Sequence, residues 1–232
     1  MSEKNQEIRE ILQDLGADVI GFGDVENYLP ASLRDMPRAI SYAVRLSNRI
    51  IEEIDPVIGP SQTYFHHYRT VNTLIDQISL KIMLKIQKMG YSAYAIPASQ
   101  SINEKPPQYR GRISHRMAAT RSGLGWIGKS GNLITEAFGP EVRLGTVLTS
   151  LPLTVHSPIE TSRCGSCNIC VKACPGYALP GNHDWKPGIE RELIVDPVRC
   201  SQHMKKAYQH IGRGAVCGIC MRVCPYGKEK KR

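Results

Sequence analysis

The chain has 232 residues, of which 41% are hydrophobic and 22% are charged; this balance is ordinary for a globular protein and excludes a fibrous or largely disordered chain. No apolar run approaches the ~20 residues of a membrane-spanning helix, and the N-terminal segment lacks the pattern of a signal peptide, so we expect a cytoplasmic protein with no membrane span. The formal net charge of +9, taken alone, favours an acidic partner such as nucleic acid.

Hydrophobic periodicity predicts a mixture of helices and strands in the first half of the chain. The longest predicted helix begins at the capping residue Ser61 and stops at Gly90, with apolar side chains repeating along it. We expect this helix to form the centre of the core. The predicted elements are, in chain order, a helix over 7–15, strands over 18–22 and 39–46, the long helix over 61–89, and a strand over 91–96.

The following segment contains a polar loop and a glycine-rich region. Residues 103–112 include two consecutive prolines, which predicts a loop. A helix over 115–121 and a glycine-rich stretch over 123–131 come next, and then two strands, over 132–135 and 142–149, on either side of a turn at Gly139-Pro140. The predicted organisation is an α/β (α+β) domain over 1–155 and a smaller second domain over 156–232.

All eight cysteines lie between Cys164 and Cys224, which indicates a local site and not a scattered disulfide framework. The first four follow the spacing C-x2-C-x2-C-x3-C-P of ferredoxins with two 4Fe-4S clusters, and the second four repeat it with the first cysteine moved upstream. In such a run the fourth cysteine ligates the other cluster. The predicted ligands are therefore Cys164, Cys167, Cys170 and Cys224 for one cluster, and Cys174, Cys200, Cys217 and Cys220 for the other.

Structural zinc is the alternative, because C-x2-C pairs also occur in zinc ribbons. Four-cysteine zinc sites normally use two separated pairs and need neither a third cysteine at the same interval nor the two Cys-Pro endings, so the pattern favours iron-sulfur clusters. Each oxidised cluster with its four thiolates carries a charge of about −2. Two clusters thus lower the net charge from +9 to about +5 and weaken the argument for nucleic acid.

Residues 123–130 read Gly-Leu-Gly-Trp-Ile-Gly-Lys-Ser and satisfy both the phosphate-binding loop G-x4-G-K-[ST] and the dinucleotide fingerprint G-x-G-x-x-G. Their context disfavours ATP and NAD, because a helix precedes them, no long helix has room to follow, and no acidic residue lies at the ribose-binding distance. The glycine N–H groups beside Lys129 still suit a phosphate or an amide-rich cofactor. Trp126 either covers a flat ring or packs in the core.

Three segments, in this order, resemble the epoxyqueuosine reductase family: residues 114–129, which end in the glycine loop, residues 138–149, which begin Phe-Gly-Pro-Glu-Val-Arg-Leu, and the double cysteine motif. The second segment also resembles corrinoid reductive dehalogenases in their C-terminal half. The resemblance implies a nitroreductase-like domain, with a mixed sheet and flanking helices, that holds cobalamin, and a ferredoxin-like module that passes electrons to cobalt. The cofactor-binding residues that it implies are Gly123, Gly125, Trp126, Gly128, Lys129, Arg143 and Leu144.

The chain departs from this family in a segment that bears on the substrate. Epoxyqueuosine reductases carry an acidic general acid before the glycine loop, whereas residues 96–100 contain neither Asp nor Glu, so we do not expect tRNA as the substrate. Similarity to reductive dehalogenases implies a tyrosine proton donor, for which Tyr109 is the candidate, unless it is an ordinary loop residue. His115 is a second candidate acid, or else a hydrogen-bonded structural residue.

The predicted function is that of an iron-sulfur oxidoreductase in which two 4Fe-4S clusters deliver low-potential electrons to bound cobalamin, for substrate reduction or for reactivation of the corrinoid. Two alternatives remain open: a non-catalytic ferredoxin-type carrier that docks on a partner enzyme, and a reductase that uses FMN on the same fold. The expected partners are an external low-potential electron donor and a partner enzyme or corrinoid protein. A homodimer is expected from the fold alone.

Overall fold

The computed structural model describes residues 2–102, 109–212 and 216–228, so most of the loop predicted over 103–112 and the last four residues lie outside these ranges. The α-helices are α1 (Glu3–Asp14), α2 (Asn48–Glu52), α3 (Gln62–Lys88), α4 (His115–Arg121), α5 (Ile169–Lys172), α6 (Pro197–Tyr208) and α7 (Ile219–Arg222). The strands are β1 (Val19–Asp24), β2 (Arg38–Arg45), β3 (Ala93–Ile96), β4 (Gly125–Ile127), β5 (Leu133–Thr135) and β6 (Val142–Thr149).

Four strands form the main sheet in the order β1-β2-β6-β3, and each of their pairings is antiparallel. The central strands β2 and β6 pair along their whole length, with Arg38 opposite Thr149 and Arg45 opposite Val142. Nearly every residue of β2 is buried, which is expected where helices cover both faces of a sheet. The predicted class, in which strands mix with flanking helices, is confirmed.

The long helix α3 packs on one face of the sheet and forms the main core, as its periodicity predicts. Tyr42 of β2 ties the sheet to this helix, because its phenol donates a hydrogen bond of 2.7 Å to the carbonyl oxygen of Ile75. Gly145 of β6 makes room for the Tyr42 ring, since a Cβ atom there would clash with it. The fully buried side chains of α3 that share this face are Ile75, Ile78, Ile82 and Ile86.

The short helix α4 packs on the opposite face, where small residues let its backbone approach the sheet closely. Ala39 and Ala43 of β2 point to this face, and they pack with Ala118 and Ala119 of α4. A Cβ atom on Gly23 of β1 would lie 2.7 Å from the carbonyl carbon of residue 121 at the end of α4. This close packing fixes the position of α4, which carries two residues of the candidate site.

The glycine-rich stretch differs from its prediction, because it contains a strand. The strands predicted around Gly139-Pro140 do form, yet they do not pair with each other: β5 pairs with β4 in a separate two-stranded sheet, and β6 belongs to the main sheet. Gly125 permits the close β4–β5 approach, since a Cβ atom there would clash with the carbonyl oxygen of Ile134. Gly131, with φ +70°, closes the hairpin turn.

The cysteine-containing segment packs directly on the first part of the chain. Val216, Ile219 and Met221 are buried in the same cluster of hydrophobic side chains as α3. The domain boundary after residue 155 therefore stays a prediction from sequence. Of the helices in the described ranges, none is long and apolar enough to cross a membrane.

Candidate functional site

The first group of thiols brings together three cysteines of the first run and the last cysteine of the second. Burial raises the pKa of Cys170 to about 11, and the neighbouring thiols of Cys164 and Cys167 raise it further. Burial likewise raises the pKa of Cys224 to about 11, with a smaller contribution from the same three thiols. The pKa values of these thiols thus depend on one another, as expected for electrostatic neighbours.

The second group contains the remaining four cysteines. Burial raises the pKa of Cys217 to about 11, and the thiols of Cys200 and Cys174 contribute to the increase. The pKa of Cys220 is raised strongly by burial and then by Cys217 and Cys200, and also by Cys170 of the first group. The two groups are therefore electrostatic neighbours, and their assignment to two clusters stays a prediction from the crossover rule, in which Cys174 leaves the first run.

The donor chemistry of these groups fits iron-sulfur clusters. Each group supplies four soft sulfur ligands, which favour zinc or Fe–S clusters over hard cations. Among the described residues, no three His, Cys, Asp or Glu side chains converge closely enough for one metal ion. The four-cysteine donor sets and the spacing of the cysteines along the chain agree with 4Fe-4S ligands.

Helix α6 carries Cys200 and was not predicted from the sequence. Its capping residue Asp196 accepts hydrogen bonds from the backbone N–H groups of Val198 and Arg199, at 3.0 and 2.9 Å, and Pro197 occupies the first helical position. The pair Asp196-Pro197 is thus a recognisable signal for a helix N-terminus. The part of α6 that follows Cys200 begins the longer segment that separates this cysteine from Cys217.

The turn of the β4–β5 hairpin lies against both thiol groups. The Lys129 side chain, only 8% exposed, donates hydrogen bonds of 2.6 Å to the carbonyl oxygen of Gly165 and 3.2 Å to Oδ1 of Asn168, both in the first cysteine loop. The Nδ2 group of Asn132 donates to the sulfur of Cys220 at 3.5 Å. A Cβ atom on Gly128 would lie 3.1 Å from the sulfur of Cys164.

Trp126 is buried in this same region. Its ring packs edge-to-face on Tyr226 at 5.0 Å, the Arg163 guanidinium stacks over it at 5.2 Å, and Cys224 belongs to its hydrophobic cluster. Of the two roles considered for Trp126, packing in the core and contact with a flat cofactor ring, these contacts match packing. The described residues that line the main cavity include none of the five predicted glycine-loop positions, Gly123, Gly125, Trp126, Gly128 and Lys129.

A cavity of about 980 Å³ opens between the sheet, helix α4 and the cysteine segment. Its volume lies at the upper end of ligand cavities, roughly 300–1,000 Å³, and suits a large cofactor. The predicted residues Arg143 and Leu144 line it, as do Tyr109 and His115. All four thiols of the second group line it too, whereas those of the first group do not: the lining cysteines are Cys174, Cys200, Cys217 and Cys220.

Both ring nitrogens of His115 are engaged. Nε2 lies 3.0 Å from the carbonyl oxygen of Pro97 and donates to it, so Nδ1 accepts from the Thr146 hydroxyl at 2.9 Å. Burial lowers the pKa of His115, which keeps the ring neutral near pH 7. This geometry matches the structural alternative that the sequence left open for His115.

Tyr109 lines the cavity in a strained backbone conformation, with φ +52°. Arg191 fixes its backbone by donating a 3.0 Å hydrogen bond to its carbonyl oxygen. The pKa of its phenol is lowered by a hydrogen bond with Ser201 and then by Lys205, whose Nζ lies 3.4 Å from the phenol oxygen. Helix α6 thus supplies both groups that make this phenol more acidic.

Residues 163–227 match the family model described as a 4Fe-4S double cluster binding domain, so this segment carries a 4Fe-4S binding domain. Among curated proteins, the epoxyqueuosine reductase of Atelocyanobacterium thalassa is 36% identical over 130 residues, which cover 51% of this chain and 39% of that protein. The resemblance predicted from the sequence is thereby confirmed.

Solved structures share the fold over almost the whole chain. A reductive dehalogenase, from a study of B12-dependent dehalogenation, superposes with a TM-score of 0.70 at 19% identity, covering 98% of this chain and 32% of that one. An epoxyqueuosine reductase bound to an epoxyqueuosine-modified tRNA-Tyr stem loop gives a TM-score of 0.62 at 20% identity, covering 98% and 66%. The chain thus spans 39% of that curated relative and 66% of that structure.

Proposed function

We propose that the protein is an iron-sulfur reductase that passes low-potential electrons through two 4Fe-4S clusters to a corrinoid held in the cavity. The observation that carries this proposal is the order of the sites. The two thiol groups are neighbours, since Cys170 of the first group contributes to the raised pKa of Cys220 in the second, and of the two only the second lines the cavity. An electron donor would therefore meet an outer cluster first, and an inner cluster would lie beside the cavity.

The chain supplies distinct groups for holding and for protonating the ligand. When bound, a corrinoid would contribute the metal-centred redox chemistry that side chains cannot perform. Arg143 and Leu144 line the space that would hold it. Tyr109 is the proposed proton donor, because its phenol lines the cavity and Lys205 stabilises the phenolate left after proton transfer.

The choice of corrinoid follows from the cavity and from the relatives. The cavity is large enough for such a ligand, and a neighbour of the same fold is described in terms of B12-dependent chemistry. FMN is the alternative cofactor on this fold.

Among the described residues that line the cavity there is no Asp or Glu, which argues against an acid of the kind used on tRNA. The tRNA-bound neighbour nevertheless makes a modified stem loop the first macromolecular substrate to assay.

Anaerobic titration with cob(II)alamin, followed by absorbance and EPR, tests the proposal. The protein is first reconstituted to about eight irons per chain. We expect saturable binding with a changed cobalt EPR signal, and loss of that binding in Leu144→Trp, which fills the cavity. Leu84→Trp, on the exposed surface of α3, is the matched control and should bind like the unaltered protein.

Other results would redirect the proposal. Full clusters without cobalamin binding would contradict it. Binding of FMN in its place, again lost in Leu144→Trp, would indicate a flavin reductase. Binding of neither cofactor would favour the second candidate function, a ferredoxin-type carrier, which the absence of carboxylates from the described cavity lining also supports.

A further inference from the structure

The cavity has a property that electron transfer does not require: its lining is strongly cationic. No Asp or Glu occurs among the described residues that line it, and His115 is neutral there. The lining arginines are Arg110, Arg112, Arg116, Arg121, Arg143 and Arg191. A cavity with this charge favours anionic ligands before any particular contact is considered.

Three of these arginines have no carboxylate partner within the described ranges. Glu192 pairs with Arg110 and Arg191, and Glu160 pairs with Arg121. The other three are held by neutral groups. Arg112, which is exposed, donates to the Tyr94 phenol. Arg116 donates to the carbonyl oxygen of Gly131. Arg143 donates from Nε to Oδ1 of Asn72 at 2.8 Å and from Nη2 to the Tyr68 phenol at 3.3 Å.

Arg116 and Arg143 line the same cavity on neighbouring elements. Arg116 follows His115 on α4, and His115 Nδ1 lies 2.9 Å from the hydroxyl of Thr146 on β6, the strand that carries Arg143. Burial lowers the pKa of Arg116, and the positive charges of Arg191 and Arg143 lower it further. His115, which lines the same cavity, also has a pKa lowered first by burial and then by both Arg143 and Arg116. Keeping like charges together in a partly buried place costs free energy unless an opposite charge compensates them.

We propose that Arg116 and Arg143 form an oxyanion subsite that binds a phosphate or carboxylate group of the cavity's ligand. Arginine suits this role because its planar N–H groups pair with the oxygens of such anions. Asn72 and Tyr68 hold the Arg143 guanidinium in place before any ligand arrives, which lowers the entropy lost on binding. The cofactor or the substrate can supply the anionic group. This inference rests on the proposed function in placing the ligand in this cavity.

The inner cluster is the competing source of negative charge. The Cys200 thiolate raises the pKa of Arg116 and so offsets part of its charge. The test must therefore use protein loaded with clusters but free of other cofactors. We would titrate it calorimetrically with inorganic phosphate as the probe, and we expect saturable binding.

The arginine variants make this test specific. Arg143→Gln should weaken phosphate binding by at least about tenfold, because it removes a charged hydrogen-bond donor. Arg112→Gln is the matched control: Arg112 lines the same cavity and also donates to a tyrosine phenol, but it is exposed, whereas Arg143 is partly buried. We expect a change of less than about threefold there. If Arg143→Gln loses iron, Arg143→Lys replaces it in the test. Lysine keeps the positive charge but lacks the planar guanidinium, so its phosphate affinity should be intermediate.

Three results would contradict the proposed subsite. These are the absence of saturable phosphate binding to cluster-loaded protein, phosphate binding only after the clusters are removed, and phosphate binding weakened as much in Arg112→Gln as in Arg143→Gln. Repeating the titration with cob(II)alamin bound identifies the source of the anion. Lost phosphate binding assigns the subsite to the phosphodiester of the corrinoid, and retained binding assigns it to the substrate. Phosphate binding without cobalamin binding would contradict the proposed function and leave the subsite standing.

Discussion

Replacing Lys129 with methionine tests whether the glycine hairpin holds the outer cluster in place. The substitution keeps the apolar length of the side chain but removes the ammonium group that donates to Gly165 and Asn168. Hydrogen bonds from a charged donor contribute about 1.5–3 kcal/mol each. Because Gly165 is exposed, water can replace one of the two, so we expect a net loss of about 1.5–3 kcal/mol in the stability of the loop.

That loss should appear as faster loss of the outer cluster. A free-energy change of this size corresponds to roughly a 10- to 100-fold larger population of the open loop. A chelator challenge of the loaded protein, followed by visible absorbance and EPR, should show one cluster released faster by that factor and the other unchanged. Lys172→Met, in the same cysteine loop but exposed, is the control. Equal rates for Lys129→Met and Lys172→Met would refute the reasoning.

Three further outcomes are expected. Gly218→Ala should lower the free energy of unfolding by about 1–3 kcal/mol, because Gly218 has φ +82° and a Cβ atom there would lie 2.8 Å from a side-chain carbon. Gly165 has φ +54° but open space around it, so Gly165→Ala should cost less in the same thermal unfolding assay. Burial lowers the pKa of His115, so the unfolded chain binds more protons at acidic pH. Stability should therefore fall as the pH drops below 6.5, the ordinary pKa of histidine. His115→Gln should reduce that fall, which is measured as the change of Tm with pH. Lys205→Met should raise the pKa of Tyr109, measured by ultraviolet titration against Tyr109→Phe.

Local patterns were sufficient to predict most elements of the first half of the fold. Helix α3 is the clearest case: Ser61 accepts a hydrogen bond from the N–H of Tyr64 at 3.0 Å, as a capping residue should, and the isoleucines that mark its apolar face are the buried ones. Strand β4 could not be predicted this way, because it lies in the stretch 123–131, which is rich in glycine, a residue of low strand propensity. It forms because Gly125 lets β5 approach closely, which is a tertiary effect.

The candidate site was likewise predictable only where local sequence patterns determine it. The spacing of the cysteines predicts how they divide between two clusters, because it restricts which thiols can meet. The arginine pair was not predictable, because it depends on contacts between distant parts of the chain. Arg143 of β6 is held by Asn72 of α3, 71 residues away, and no local pattern relates the two.

The glycine loop shows why a motif alone did not determine what these residues do. A phosphate nest needs free N–H groups, but the N–H of Gly128 donates to the carbonyl oxygen of Asn132 at 2.9 Å, and that of Gly131 donates to the carbonyl oxygen of Gly128 at 2.8 Å. The hairpin thus uses these two donors to close its own turn, and Lys129 points to the first cysteine loop. An anionic ligand of the cavity must then be bound by other cations, and Arg143, fixed from the side of α3, is suitably placed for this.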